Sequence, residues 1–376
     1  MRRRRFIRRA GAAGAIALAG CTGGPDDSAD QQTTTTDGTG STTTGGSTTT
    51  TTSGPSGTLT VATYSSFTGE GTAGTWLKGQ FEAEYPDTTV EFVTPPNGVN
   101  QYIQRAQQGA PIEADLYVGL NTGELVRADR ELDDQLFAVT RDRLERADTV
   151  KPGLQIDPDG RAIPYAPGSI SLVYDEGAVE NPGTFDALLE PAYEDALITQ
   201  NAQQSDPGRA FLLWTIIAKG EDGYLDYWAD LVDNGVTVLS DWEPAYNAYL
   251  DGEAPIVVSY STDQVYYHGE GVDMSKHQVG FLNDQGYANP EAMALFADSD
   301  QHYLGLTFMD FALRAESQAG IAVRNVQFPA VEGVDPGEEF SKYAYEPPEP
   351  VTFTYDELAG NVSEWVDAWA RQVASQ

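Results

Sequence analysis

Apolar and polar positions divide the chain near residue 57. Beyond that point short apolar runs alternate with amphipathic segments; before it, past an apolar run near the start, almost nothing apolar occurs. Leu59-Thr60-Val61-Ala62-Thr63-Tyr64 reads as a first strand. The spacing of Trp76, Leu77 and Phe81 predicts a helix over 75–84. A strand over 89–93, a helix over 100–107 and the buried strand Ala114-Asp115-Leu116-Tyr117-Val118 follow. Further strands are expected over 169–174, 255–260 and 293–296. Helices are expected over 211–218, 302–313 and 358–372, the first opened by Asp206-Pro207-Gly208, where Pro suits a first turn. This alternation predicts an α/β fold with a mostly parallel sheet covered by helices on both faces.

In such sheets ligands settle beyond the carboxyl ends of strands. Two ends stand out: Tyr64-Ser65-Ser66-Phe67 after the first strand, and Tyr260-Ser261-Thr262 after a later one. Asp241-Trp242 places a ring just before a helix, and Ser205-Asp206-Pro207-Gly208 opens another, where free N–H groups suit an anion. The run SDWEPAYNAYLDGEAPIVVSYSTDQVYYH (240–268) gathers Trp and Tyr rings with a single His. Tyr246 and Tyr249, three apart on a helix, have the spacing of packing residues, although Tyr246 shares the ring-rich run and counts among the candidate contacts.

Charge narrows the classes. The chain has 376 residues, 22 basic and 57 acidic, for a net charge of −35. Six of the Arg residues lie within the first nine positions; without them the charge is −41. Such a surface repels nucleic acid and anionic membranes, so no nucleic-acid partner is expected, and adaptation to high salt is the reading. Cys21 is the one cysteine, which excludes an internal disulfide and a Cys-based zinc site. Three histidines (His268, His277, His302) leave little for a His-based metal site or triad, and no metal is expected. No G-x-S-x-G, H-E-x-x-H or P-loop occurs, and Asp pairs such as Asp226/Asp230 and Asp133/Asp134 read as solvated surface. An enzyme is therefore not expected.

Residues 1–21, MRRRRFIRRAGAAGAIALAGC, form a targeting segment whose Arg3-Arg4 pair resembles a twin-arginine export signal. Its apolar run is too short to span a bilayer and ends in Leu18-Ala19-Gly20-Cys21, which resembles a lipobox, with Cys21 the lipidated residue. The Thr-, Ser- and Gly-rich stretch 22–57 cannot bury enough surface to offset its ordering entropy, and is expected to be a disordered stalk. The folded part would then stand on the outer face of the cell membrane.

From Leu59 to Arg371 the chain resembles the thiamine-binding proteins of bacterial ABC importers. The resemblance is carried by TVATYSSF, ADLYVGLNTGEL, PYAPGSISLVYD, SDPGRAFLLW, the ring-rich run above, GYANPE and EWVDAW. It implies a two-lobed periplasmic-binding-protein type II fold, with lobe 1 formed by 58–165 plus 287–376, lobe 2 by 166–286, and the ligand cleft between them. It also implies a monomer that captures thiamine or a thiamine phosphate, needs no cofactor and delivers its ligand to a membrane permease. Tyr64, Trp242 and Tyr260 would hold the ligand's rings, Ser205 and Gly208 any phosphate, and Glu291 matches an acidic position of the return strand. Asn97 and Asn121 stand where the family commonly has Asp, Pro164–Ser169 replaces a more aromatic and acidic stretch, and Val326 stands in place of a cleft Trp. The adjacent pair Tyr266-Tyr267 keeps open a ferric or other small-solute binder on the same scaffold.

Overall fold

The computed structural model describes residues 54–374. The targeting segment, Cys21 and nearly all of the Thr-rich stretch lie outside the described residues. In chain order, the first half runs β1 (Gly57–Ala62), α1 (Ser65–Thr68), α2 (Ala73–Glu84), β2 (Thr88–Val93), α3 (Asn100–Gln107), β3 (Leu116–Leu120) and α4 (Thr122–Glu131). A long strand, β4 (Ala162–Tyr174), leads into β5 (Leu197–Gln200), α5 (Asp206–Lys219), α6 (Tyr224–Asp233), β6 (Thr237–Leu239), α7 (Trp242–Leu250), β7 (Ile256–Tyr260), α8 (Asp263–Tyr267) and β8 (Gln278–Gly280). The second long strand, β9 (Gln285–Leu295), returns to α9 (His302–Ala312) and α10 (Ala315–Asn325). The chain closes with α11 (Glu338–Tyr343), β10 (Glu349–Val351) and α12 (Tyr355–Ala374).

The strand order is β2-β1-β3-β9-β4-β7-β5-β6, with β10 added to β9 and β8 to β4. Pairing is parallel within each flank, β1 with β2 and β3, and β5 with β6 and β7. It is antiparallel where β4 and β9 run against each other from Ala162↔Ala294 to Ile170↔Tyr287. At about 3.3 Å per residue, the 13 residues of β4 extend some 40 Å, enough to serve both halves of the sheet.

Sequence pattern captured only the distal ends of these two strands. Pro164, Pro167 and Gly168 argue against a central strand, since Pro cannot donate to the ladder. The structure accommodates them with a bulge: Pro164 faces Ala292 and Ala166 faces Glu291, leaving Tyr165 as the extra residue. One apolar core packs around Phe81, Phe308 and Met293, and another around Phe185, Trp214 and Trp228. Helix α12, grouped by sequence with lobe 1, instead packs on the second core. Leu358, Val362, Trp365 and Trp369 form its one apolar stripe, and Trp369 meets Trp228 edge-on at 5.4 Å.

Candidate functional site

Where β4 and β9 cross the middle of the sheet, two carboxylates are gathered by side chains from separate segments. Glu291 lies on β9. The bulge at Tyr165 turns that ring so its hydroxyl donates to Glu291 Oε2 at 2.6 Å. Tyr64, at the end of the β1 segment, donates to the same oxygen at 2.8 Å, and its hydroxyl is 3.0 Å from Asn325 Oδ1. Gln327 Nε2 donates to Glu291 Oε1 at 2.9 Å. Phe67 packs edge-on against Tyr165 and at a tilt against Tyr64, fixing both rings from behind. Burial pushes the Glu291 carboxyl above its ordinary range, opposed by its three hydrogen-bond donors, all of them neutral. Burial, and then the nearby Glu291 charge, hold both phenols protonated.

Two residues earlier on β9, and so on the same face of the strand, Asn289 donates through Nδ2 to Asp206 Oδ2. Asn121 Nδ2 donates to the other oxygen, Asp206 Oδ1, at 2.6 Å. Asn121 is also the N-cap of α4: its Oδ1 accepts from Glu124 N at 2.9 Å, while Glu124 Oε2 accepts from Asn121 N. Asp206 thus ties α5 to the start of α4 and to the crossover. Burial raises its pKa, with Arg209 acting in the opposite direction. Burial, and then Asp206, push Glu124 up to about 7.

Tyr260, the last residue of β7, lies over Gly168 of β4: a Cβ at that glycine would stand 2.9 Å from the ring and 3.4 Å from Gln327 Nε2. Burial and then the charges of Asp206, Glu291 and Asp241 raise the Tyr260 phenol. Trp242 opens α7, its Nε1 donating to Ser259 Oγ at 3.0 Å beside Tyr260.

The sequence candidates separate into three groups. Tyr64, Tyr260, Glu291 and Asn121 converge on this region, whereas Trp242 is bonded to Ser259, the residue before Tyr260, and stacked on Tyr246. Ser205 sits at its border: its hydroxyl is buried with no partner among the described residues. The other candidates are placed differently. Tyr246 is a correction: it is 2% exposed, stacked between Trp242 and Tyr267, with its hydroxyl donating to Asp263 at 2.5 Å, so it backs Trp242 instead of facing a ligand. The Thr262 hydroxyl is engaged by the Val326 carbonyl at 2.6 Å. Gly208 is pressed on the Gln200 carbonyl, which a Cβ would approach to 2.4 Å. Asn97 and Ser65 are exposed, Ser65 directly after Tyr64.

Sequence reasoning missed Tyr165, Asn289, Asn325 and Gln327, and named Asp206 only as a helix opener. Tyr165 lay in a stretch noted for its departures, and Asp206 and Asn289 in quoted motifs; Asn325 and Gln327 carry no local pattern. Among the described residues, no group of three His, Cys, Asp or Glu side chains could hold a metal ion. Tyr267 is enclosed between Tyr246 and His277 in a ring stack, whereas Tyr266 is 57% exposed and edge-on to it.

A profile of the bacterial extracellular solute-binding proteins matches residues 76–347. The chain belongs to this family. It is a solute-binding protein of the ABC-importer type. It is 29% identical over 319 residues to a thiamine-binding periplasmic protein of Escherichia coli, covering 84% of this chain and 93% of that one. The corresponding protein of Salmonella typhimurium is 28% identical over the same length. The solved structure of a periplasmic thiamin binding protein superposes with a TM-score of 0.73 at 27% identity, covering 85% of this chain and 96% of that one. The mixed α/β architecture of this solute-binding protein is thus that of the thiamine-binding structure.

Proposed function

We propose that this solute-binding protein captures thiamine between its two halves and hands it unchanged to a membrane permease. One observation carries the reading: Tyr64 and Tyr260, from distant segments, are brought to a region whose carboxylates, Glu291 and Asp206, are held mainly by neutral donors, and Trp242 is anchored on Ser259, the residue before Tyr260. Thiamine joins a flat aminopyrimidine to a thiazolium with a fixed positive charge. A cation over a ring face contributes about 0.5–2 kcal/mol, and stacking of a flat ring about 0.5–1.5 kcal/mol per pair. The carboxylates supply the charge complement that Asn97 and Asn121 do not. The similarity to thiamine-binding proteins over most of the chain supports the same ligand.

The halves move about the paired crossover strands near Gly168 and Asn289, which face each other in the ladder. Ligand favours the closed arrangement because only there do both halves touch it. Residues 58–165 and 287–376 would form one lobe and 166–286 the other, with α12 bridging to the second core. Twin-arginine export, a lipid on Cys21 and a flexible Thr-rich tether keep the binder at the outer membrane face, beside its permease; the lobes act as a monomer.

Calorimetry with thiamine in molar salt tests the reading. Wild-type protein is expected to bind with micromolar or tighter affinity, and Trp242→Ala to lose about 2 kcal/mol, roughly thirtyfold, while still folding. Absence of binding to the wild type, or unchanged affinity in the variant, would count against it.

A further inference from the structure

We propose that Asp206 is a charge-selecting residue, which admits unphosphorylated thiamine and turns away its phosphate esters; the inference rests on the thiamine reading above. The start of a helix attracts phosphate because its first N–H groups have no partners within the helix. At α5 that role is already filled by the protein. Asp206 occupies the first helical position, and its two oxygens accept from Asn121 Nδ2 and Asn289 Nδ2, which hold the carboxylate in place from both sides. The first turn of α5 therefore presents a fixed negative charge where an ester phosphate would seek donors.

The neighbouring groups reinforce this. Asn121, Asp206, Arg209 and Asn289 line one recess at this point, and the Glu124 carboxyl, in the first turn of α4, is turned back to accept from Asn121 N. Arg209 is the nearest cation, but its guanidinium is turned to loop carbonyls, with Nε donating to Ala202 O at 3.2 Å. Gly208, whose backbone could otherwise approach a phosphate, is pressed against Gln200. One donor is left over: the Ser205 hydroxyl, 2% exposed and without a partner among the described residues, which precedes Asp206 and suits a neutral hydroxyl such as the alcohol that phosphorylation would esterify. A phosphate monoester carries nearly two negative charges at neutral pH. Beside Asp206 it meets repulsion that the parent alcohol does not, and discrimination of this kind comes from the repulsive element as much as from the attractive one.

Thiamine, thiamine monophosphate and thiamine diphosphate titrated calorimetrically into wild type, Asp206→Asn and Asp206→Thr provide the test, with thermal melts to establish that each variant is folded. Wild type is expected to bind thiamine about 100-fold more tightly than the monophosphate, and the diphosphate more weakly still. Either substitution should reduce that ratio to about tenfold or less, chiefly by strengthening the esters. Equal affinity of the wild type for thiamine and its monophosphate, or an unchanged ratio in both folded variants, overturns the inference and leaves thiamine as ligand. Failure of the wild type to bind any of the three overturns the thiamine reading itself, and the inference with it.

Discussion

Two carboxylates in this protein, the buried Asp263 and the half-buried Glu291, each accept a tyrosine hydroxyl, yet their surroundings have opposite consequences. Asp263, at the start of α8, accepts from Tyr246 at 2.5 Å and lies 2.9 Å from His277 Nδ1. Its side chain is 2% exposed, and its imidazole partner stacks on Tyr267 with centroids 4.5 Å apart. Trp242, Tyr246, Tyr267 and His277 then form one column of rings. Glu291 accepts two phenols and an amide, and none of these can neutralise it. The same phenol–carboxylate bond thus serves two ends. With an imidazole beside it the carboxylate completes a scaffold; with neutral donors alone it keeps a charge for which a cationic solute is the natural complement.

The largest effect should come from breaking the scaffold pair. Asp263→Ala leaves His277 and the Tyr246 hydroxyl without their shared acceptor inside the protein. Loss of one member of such a pair costs about 3–5 kcal/mol. The melting temperature should fall by roughly 10 °C or more, while thiamine affinity measured well below the new melting point stays within about threefold of wild type. A variant with wild-type stability but greatly reduced affinity would erase the distinction between the two carboxylates, since Asp263 would then belong to the site.

Glu291→Gln tests the other side. The amide keeps an acceptor for one phenol and removes the charge. Affinity for thiamine should fall by about 2–3 kcal/mol, near 100-fold, with little loss of thermal stability, because an uncompensated buried charge is itself unfavourable. A large drop in melting temperature with affinity preserved would show that Glu291 is scaffold too. Together the two variants reverse each other's phenotype, which no general perturbation of the fold would do.

The difference between these carboxylates also explains what the sequence could convey. Helices such as α3 and α9, and strands such as β7, were legible because their faces are buried by local periodicity. The rings Tyr64, Trp242 and Tyr260 were legible because they end or begin elements, where an α/β sheet exposes its ligand site. The hydrogen bonds that give the site its charge were not. Glu291 meets Tyr64 across 227 residues and Tyr165 across 126. Asp206 meets Asn121 across 85. Such contacts depend on the register of β4 against β9, and that register depends on a bulge beside two prolines that, read locally, argue against any strand there. Tyr246 shows the converse. A ring in the right segment and one helical turn from the candidate Trp242 belongs to the packing, as its three-residue spacing from Tyr249 had suggested.

The smallest effect is a dependence on pH, and it separates the two carboxylates without altering either fold. Burial raises the Glu291 carboxyl above its unfolded value, so the unliganded protein holds a proton there at pH values where the unfolded chain has lost it. For such a group folding stability is greater at low pH and declines as pH rises through the interval between the unfolded and folded pKa values. Cation binding has the opposite slope: only the ionised form attracts the thiazolium, so affinity should weaken as pH falls through that interval. A decline of about tenfold is expected by the time Glu291 is mostly protonated. The aminopyrimidine of thiamine also titrates in acid, but equally for every variant. The informative quantity is therefore the difference between the wild-type and Glu291→Gln affinity profiles, measured by calorimetry from pH 7.5 to 4.5 in constant molar salt. That difference should shrink steadily on acidification, whereas Asp263→Ala should follow the wild-type profile throughout its folded range. Parallel wild-type and Glu291→Gln profiles would mean that the Glu291 charge does not face the solute, and the contrast with Asp263 would then rest on hydrogen bonding alone.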